Sequence, residues 1–177
     1  MRLAIILCII LFSTSICFKP AEHQNDEMTL DEFILLIRGL FEGMNIKSEM
    51  EEIVKCVNKV PEIANVIMDV IDKLLKLDFK NIKEIVELII RLMGAVRDVV
   101  FIILPCASST EEWNRIIEKL SKLDIIKIID KTIEHCFDIM AEVLNIKKAI
   151  PKNDFKTIGK SLGRILYFIF LDEDLRN

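Results

Sequence analysis

The chain has 177 residues, 52% of them hydrophobic and 29% charged, with 24 basic and 28 acidic side chains and a net charge of −4. That length suits one domain with a real apolar core that needs no metal to hold it. The charges are interleaved with no basic block, which argues against a nucleic-acid partner, because a phosphate backbone is gripped by clustered positive charge.

Residues 1–17 give an address. Arg2 precedes the apolar run from Leu3 to Phe12, and Ser13-Thr14-Ser15-Ile16-Cys17 ends it in small residues. This is the pattern of a cleaved secretory signal, with the cut expected before Phe18. The run is shorter than the roughly 20 apolar residues that a spanning helix needs. The expected location is extracellular or the lumen of the secretory pathway. Loss of 1–17 removes Arg2, Cys8 and Cys17, leaving 23 basic and 28 acidic side chains and a net charge of −5. No Asn-x-Ser/Thr triplet occurs, so N-glycosylation is excluded on sequence.

Residues 18–28 are polar and without period, and read as a flexible leader. From Thr29 the pattern is helical throughout, and no segment alternates like a strand. Thr29-Leu30-Asp31-Glu32 is a capping box. It opens a helix with Phe33, Ile34, Ile37, Leu40, Phe41 and Met44 inward. Ser48-Glu49-Met50-Glu51 is a second box, opening a run to about Leu77 with Ile53, Val57, Val60, Ala64, Ile67, Ile71 and Leu74 on one face. Pro61 lies inside that run and predicts a kink or break near Val60.

Asp78 can cap a helix from Phe79 to about Leu104. Its apolar end, Val99 to Leu104, looks membrane-like, but Arg91, Arg97 and Asp98 interrupt any spanning window, so a buried core helix is expected. Ser109-Thr110-Glu111-Glu112 is a third capping box, for a short helix to about Leu120 that carries Trp113. Asp124 caps a helix to about Leu144. Asn153 or Asp154 caps the last, which ends near Leu171 before the acidic tail 172–177. The expected fold is all-α: a single-domain antiparallel bundle of six or seven helices over 29–171. The similar starts at Asp78-Phe79-Lys80, Asp124-Ile125-Ile126 and Asp154-Phe155-Lys156 are compatible with degenerate helical-hairpin repeats, or simply with how helices begin.

Four of the five glycines fall in two equal spacings, Gly39 with Gly43 and Gly159 with Gly163. Glycine costs about 1 kcal/mol relative to alanine in a helix interior. Pairs one turn apart line one face and let another backbone approach. The first and last helices are therefore expected to cross at these four residues.

In an oxidising compartment two of Cys56, Cys106 and Cys136 pair and one is left over. Folding 48–77 against 79–104 about Asp78 leaves Cys56 and Cys106 about 9 Å out of register at 1.5 Å per residue. The kink at Pro61 and the loop at Pro105 can absorb that. Cys56–Cys106 is the favoured disulfide, with Cys136 unpaired; Cys106–Cys136 is the next choice.

Catalytic chemistry is thin. His135 and Cys136 are adjacent, hence about 100° apart on a helix, and cannot form a base–nucleophile pair. The three cysteines are too far apart in sequence for a structural zinc site. Acidic pairs such as Glu51/Glu52 and Glu111/Glu112 sit in first turns, where negative charge suits the helix dipole. No catalytic, cofactor-binding or metal-ligating residue is expected, and no enzymatic activity.

The helix from Phe33 to Met44 with Gly39 and Gly43, single cysteines in successive helices, and the closing run from Asp154 to Gly163 together resemble small secreted all-helical proteins of ciliated protozoa. The resemblance covers most of 29–171 and implies a fold and a secretory route, with no activity attached. Saposin-like lipid binders are a second analogy, from which the chain departs: they carry six cysteines in a fixed framework. The apolar surplus points to a secreted non-enzymatic module that binds a lipid or other apolar ligand, a membrane surface or a protein partner. The alternative is a structural extracellular protein with no ligand.

Overall fold

The structure, a computed structural model, describes residues 28–46, 60–76, 82–103, 118 and 125–171. Among them are six α-helices and no strand: α1 (Leu30–Gly43), α2 (Val60–Leu75), α3 (Ile82–Ile103), α4 (Ile125–Glu134), α5 (Cys136–Ala149) and α6 (Phe155–Phe170), with a 3-10 turn at Ile150–Lys152 between the last two. The chain is an all-α helical bundle.

Local chemistry sets several of these ends. At the start of α1 the Glu32 amide donates to Thr29 Oγ1 at 3.3 Å, and the Thr29 amide donates back to Glu32 Oε2 at 2.8 Å. Its end is a Schellman turn: Asn45 sits at φ 58°, its amide donates to the Glu42 carbonyl, and the Ile46 amide donates to the Phe41 carbonyl. Asparagine takes the left-handed position that glycine usually fills. Ile46 is buried, as the hydrophobic contact of that motif requires. Asp154 caps α6, accepting from the Thr157 amide at 3.0 Å and the Thr157 hydroxyl at 2.7 Å. The chain enters that cap through Asn153, at φ 50°.

The buried core draws on every helix. Phe33, Ile37 and Phe41 of α1, Ile67 and Ile71 of α2, Leu92 and Val96 of α3, Ile128 of α4, Ile139, Val143 and Ile146 of α5, and Ile158, Leu162 and Ile165 of α6 belong to one apolar cluster. The expected inward face of α1 needs one adjustment. Ile34 is only half-buried, whereas Leu36 is sealed beneath α6.

One expectation holds and two change in the helices. A helix boundary falls at Val60, where Pro61 predicts a kink or break: α2 begins there, so Pro61 lies in its first turn, where a missing amide costs little. The helix expected to run on to Leu144 is divided at His135, whose φ and ψ of −102° and 21° leave the helical basin. The Thr132 hydroxyl donates to the Ile128 carbonyl at 2.7 Å just before the break. Such back-bonding competes with the helix ladder and bends it. Beyond the break α5 continues to Ala149. The second change concerns direction. α5 and α6 are antiparallel, since His135 meets Phe168 and Glu142 meets Arg164. α1 and α6, which form the most extensive helix pair, run parallel: Leu36 meets Gly159 and Leu40 meets Gly163.

The signal 1–17, the leader except Met28, the second and third capping boxes, the caps at Asp78 and Asp124, Trp113 and the tail 172–177 lie outside the described residues. So do Cys56 and Cys106.

Candidate functional site

The α1–α6 crossing is built from the four glycines. All four are buried. A Cβ placed on Gly39 would overlap the Lys156 carbonyl oxygen and lie 2.8 Å from the Lys160 amide nitrogen. On Gly43 it would overlap the Lys160 carbonyl, on Gly159 the Leu36 carbonyl and on Gly163 the Leu40 carbonyl. In each case the obstacle is backbone, which cannot rotate away. The glycine hydrogen along that direction therefore points at a carbonyl oxygen of the other helix. Such Cα–H···O contacts contribute about 0.5–1 kcal/mol each. They are reciprocal, two donated from each helix, and they hold the axes closer than the usual 8–10 Å or so. Gly94, in α3, has nothing within 4 Å of a built Cβ and takes no part.

Charge flanks this crossing. Glu42 on α1 receives Lys160 Nζ at 2.6 Å and Lys156 Nζ at 3.1 Å. Hydrogen bonds from Lys160 and then Lys156 hold the Glu42 carboxyl below its ordinary range, against a smaller opposing effect of burial. On the other side of α6, Arg164 donates to the buried Glu142 at 3.0 Å, and Asn145 donates to its second oxygen at 3.2 Å. A carboxylate buried among helices needs this company, because an uncompensated buried charge is costly.

His135 stacks on Phe168 with ring centroids 5.3 Å apart, and its Nδ1 lies 3.4 Å from the Asp138 carboxylate. Cys136 corrects the cysteine expectation: it is disulfide-bonded rather than unpaired, with its partner outside the described residues. Hairpin register alone favoured the other two cysteines. The break at His135, which that register does not contain, starts a new helix at Cys136 and leaves it half-buried. A disulfide sulfur is no thiolate nucleophile. Among the described residues, no group of three or more His, Cys, Asp or Glu is placed to hold a metal ion. No described helix is long and apolar enough to cross a membrane.

Phe101, Ile125, Ile126, Phe137 and Leu144 are large apolar side chains in water, Ile126 at 71% exposure. On α5, Phe137, Leu144 and Lys148 are all exposed at positions 7 and 11 residues apart, close to two and three helical turns, so they share one stripe. Composition names the apolar surplus without placing it, because period alone does not say which apolar residues exceed the core's needs. The Glu42 and Glu142 pairs carry no sequence signal either, since their partners lie 118 and 22 residues away. Comparison with protein-family models, curated proteins and solved structures finds no match.

Proposed function

We propose that this is a secreted, non-enzymatic helical module that uses exposed apolar helix surface to bind an apolar ligand, a membrane surface or a protein partner. The observation that carries the reading is the set of large apolar side chains left in water, led by Ile125 and Ile126 at the start of α4 and by Phe137 and Leu144 on α5. Such side chains are costly in a monomer when they gather, and gathered apolar surface marks an interaction site. The secretory address rests on the pattern of residues 1–17.

Two measurements test it. Expressed in a secretory host, the protein is expected in the medium with an N-terminus near Phe18; Met1 retained on a membrane-bound product contradicts the address. Native mass spectrometry of the secreted protein is expected to show bound apolar mass or a partner. Organic extraction should then lower the melting temperature, because a ligand that binds only the folded state stabilises it. No bound mass and unchanged melting favour the ligand-free structural alternative.

A further inference from the structure

Positive charge is unevenly placed. Residues 147–164 carry six basic side chains and one acidic, a net charge of +5 within a chain of −4. Three of those cations are already engaged, Lys156 and Lys160 by Glu42 and Arg164 by Glu142. The other three, Lys147, Lys148 and Lys152, cluster at the end of α5 and in the 3-10 turn that follows. Lys148 and Lys152 are exposed and Lys147 is half-buried. Of the two acids on α5, Asp138 is exposed but lies more than two turns before Lys148, and Glu142 is buried against Arg164. Asp154 accepts the cap hydrogen bonds from Thr157 and is close enough to Lys152 and Lys156 for both to help hold its carboxyl below the ordinary range, so Lys152 is partly offset.

Neither acid of α5 offsets Lys147 and Lys148, which are left to attract negative charge from outside that helix.

We propose that the α5–α6 turn docks this protein on an anionic lipid surface, with Lys147, Lys148 and Lys152 against the headgroups and the exposed Leu144 and Phe137 stripe of α5 entering the interface. The mixture decides for lipid over a soluble polyanion. Lys148 shares the stripe of Phe137 and Leu144, and Lys147 and Lys152 lie beside its end, an arrangement that matches the headgroup–acyl boundary, with lysine stems along apolar surface and ammonium groups reaching phosphate. The inference deepens the surface-binding reading above and rests on it.

Each lysine near an anionic leaflet contributes about 1 kcal/mol, or roughly fivefold in partitioning. Three together give about 100-fold. The test is sedimentation of the secreted full chain with phosphatidylcholine vesicles, with and without 30 mol% or so phosphatidylserine, at low and physiological salt. Binding is expected only to the phosphatidylserine vesicles, weakening with salt. The triple variant K147Q/K148Q/K152Q should lose about 100-fold while melting within a few degrees of the parent. Leu144→Ser should also weaken binding.

Equal binding to both vesicles, unaffected by the triple variant, overturns the docking turn yet leaves the apolar-surface reading standing. No vesicle binding, with lysine-dependent binding to soluble heparin instead, overturns the lipid assignment in favour of a soluble polyanion. No binding in any arm overturns the inference, and the native mass spectra then decide the wider reading independently. A triple variant that changes melting and no binding assigns the lysines to the helix dipole alone.

Discussion

Replacing Gly159 by alanine sets two effects of opposite sign against each other. Helix propensity favours alanine by about 1 kcal/mol. Packing opposes it, because the new methyl would overlap the Leu36 carbonyl oxygen and stand 2.9 Å from the Leu40 amide nitrogen. Both are backbone atoms of a helix, so α1 and α6 must separate. Separation weakens the reciprocal contacts at Gly39, Gly43 and Gly163 as well, at about 0.5–1 kcal/mol each, on top of an overpacking cost of about 1–3 kcal/mol. The net expectation is a loss of about 2 kcal/mol, or roughly 4–8 °C in Tm for a chain of this size. Gly159→Leu should lose more. Gly94→Ala is the internal control: its Cβ meets nothing within 4 Å, so propensity acts alone and should stabilise by somewhat under about 1 kcal/mol. Urea denaturation of the three variants under identical conditions reads both signs. A Gly159→Ala protein as stable as the parent would refute the close crossing as the reason for the glycines.

Glu42→Gln should flatten the acid limb of stability. The Glu42 pKa is depressed in the folded state, so its contribution is present above the unfolded carboxylate pKa and is lost as pH falls through the folded one. The pair is partly exposed, so the effect at neutral pH is below about 1 kcal/mol; melting curves from pH 7 to pH 3 check it, and an unchanged acid limb contradicts the assignment. Asp154→Ala should cost about 1 kcal/mol by freeing the Thr157 amide, whereas Asp154→Ser should retain most of it in the same denaturation assay. Arg164→Ala leaves the buried Glu142 with Asn145 but no cation, and should cost about 1–3 kcal/mol. Recovery in the double variant with Glu142→Leu is the diagnostic, because the cost lies in the stranded carboxylate.

Much of the helix layout was legible because its causes are local. A threonine and a glutamate three residues apart cap α1 whatever lies beyond them, and Asp154 caps α6 through a residue three positions on. The paired glycine spacings were legible too, since two glycines one turn apart on each of two helices open a face to an approaching backbone, whereas the lone Gly94 meets nothing. Other features had no local signature. The break at His135 depends on a hydroxyl competing for the Ile128 carbonyl and on a ring held against Phe168, a residue of another helix. Glu42 and Glu142 looked like any surface acids until distant lysines and an arginine met them.

The sequence by itself determined that the chain is helical, where α1 and α6 start, and that these two were prepared for close contact. These follow from capping within four residues, from apolar period, and from the absence of Cβ atoms at fixed spacing. Only the tertiary structure decided that α1 and α6 run parallel, that Cys136 is bonded, and that Glu42 and Glu142 take up Lys156, Lys160 and Arg164 while Ile125, Ile126, Phe137 and Leu144 stay in water. The physical reason is common to these cases. Direction, disulfide pairing and surplus surface depend on which elements meet, and a residue's own neighbours in sequence do not encode the face that a distant helix will cover.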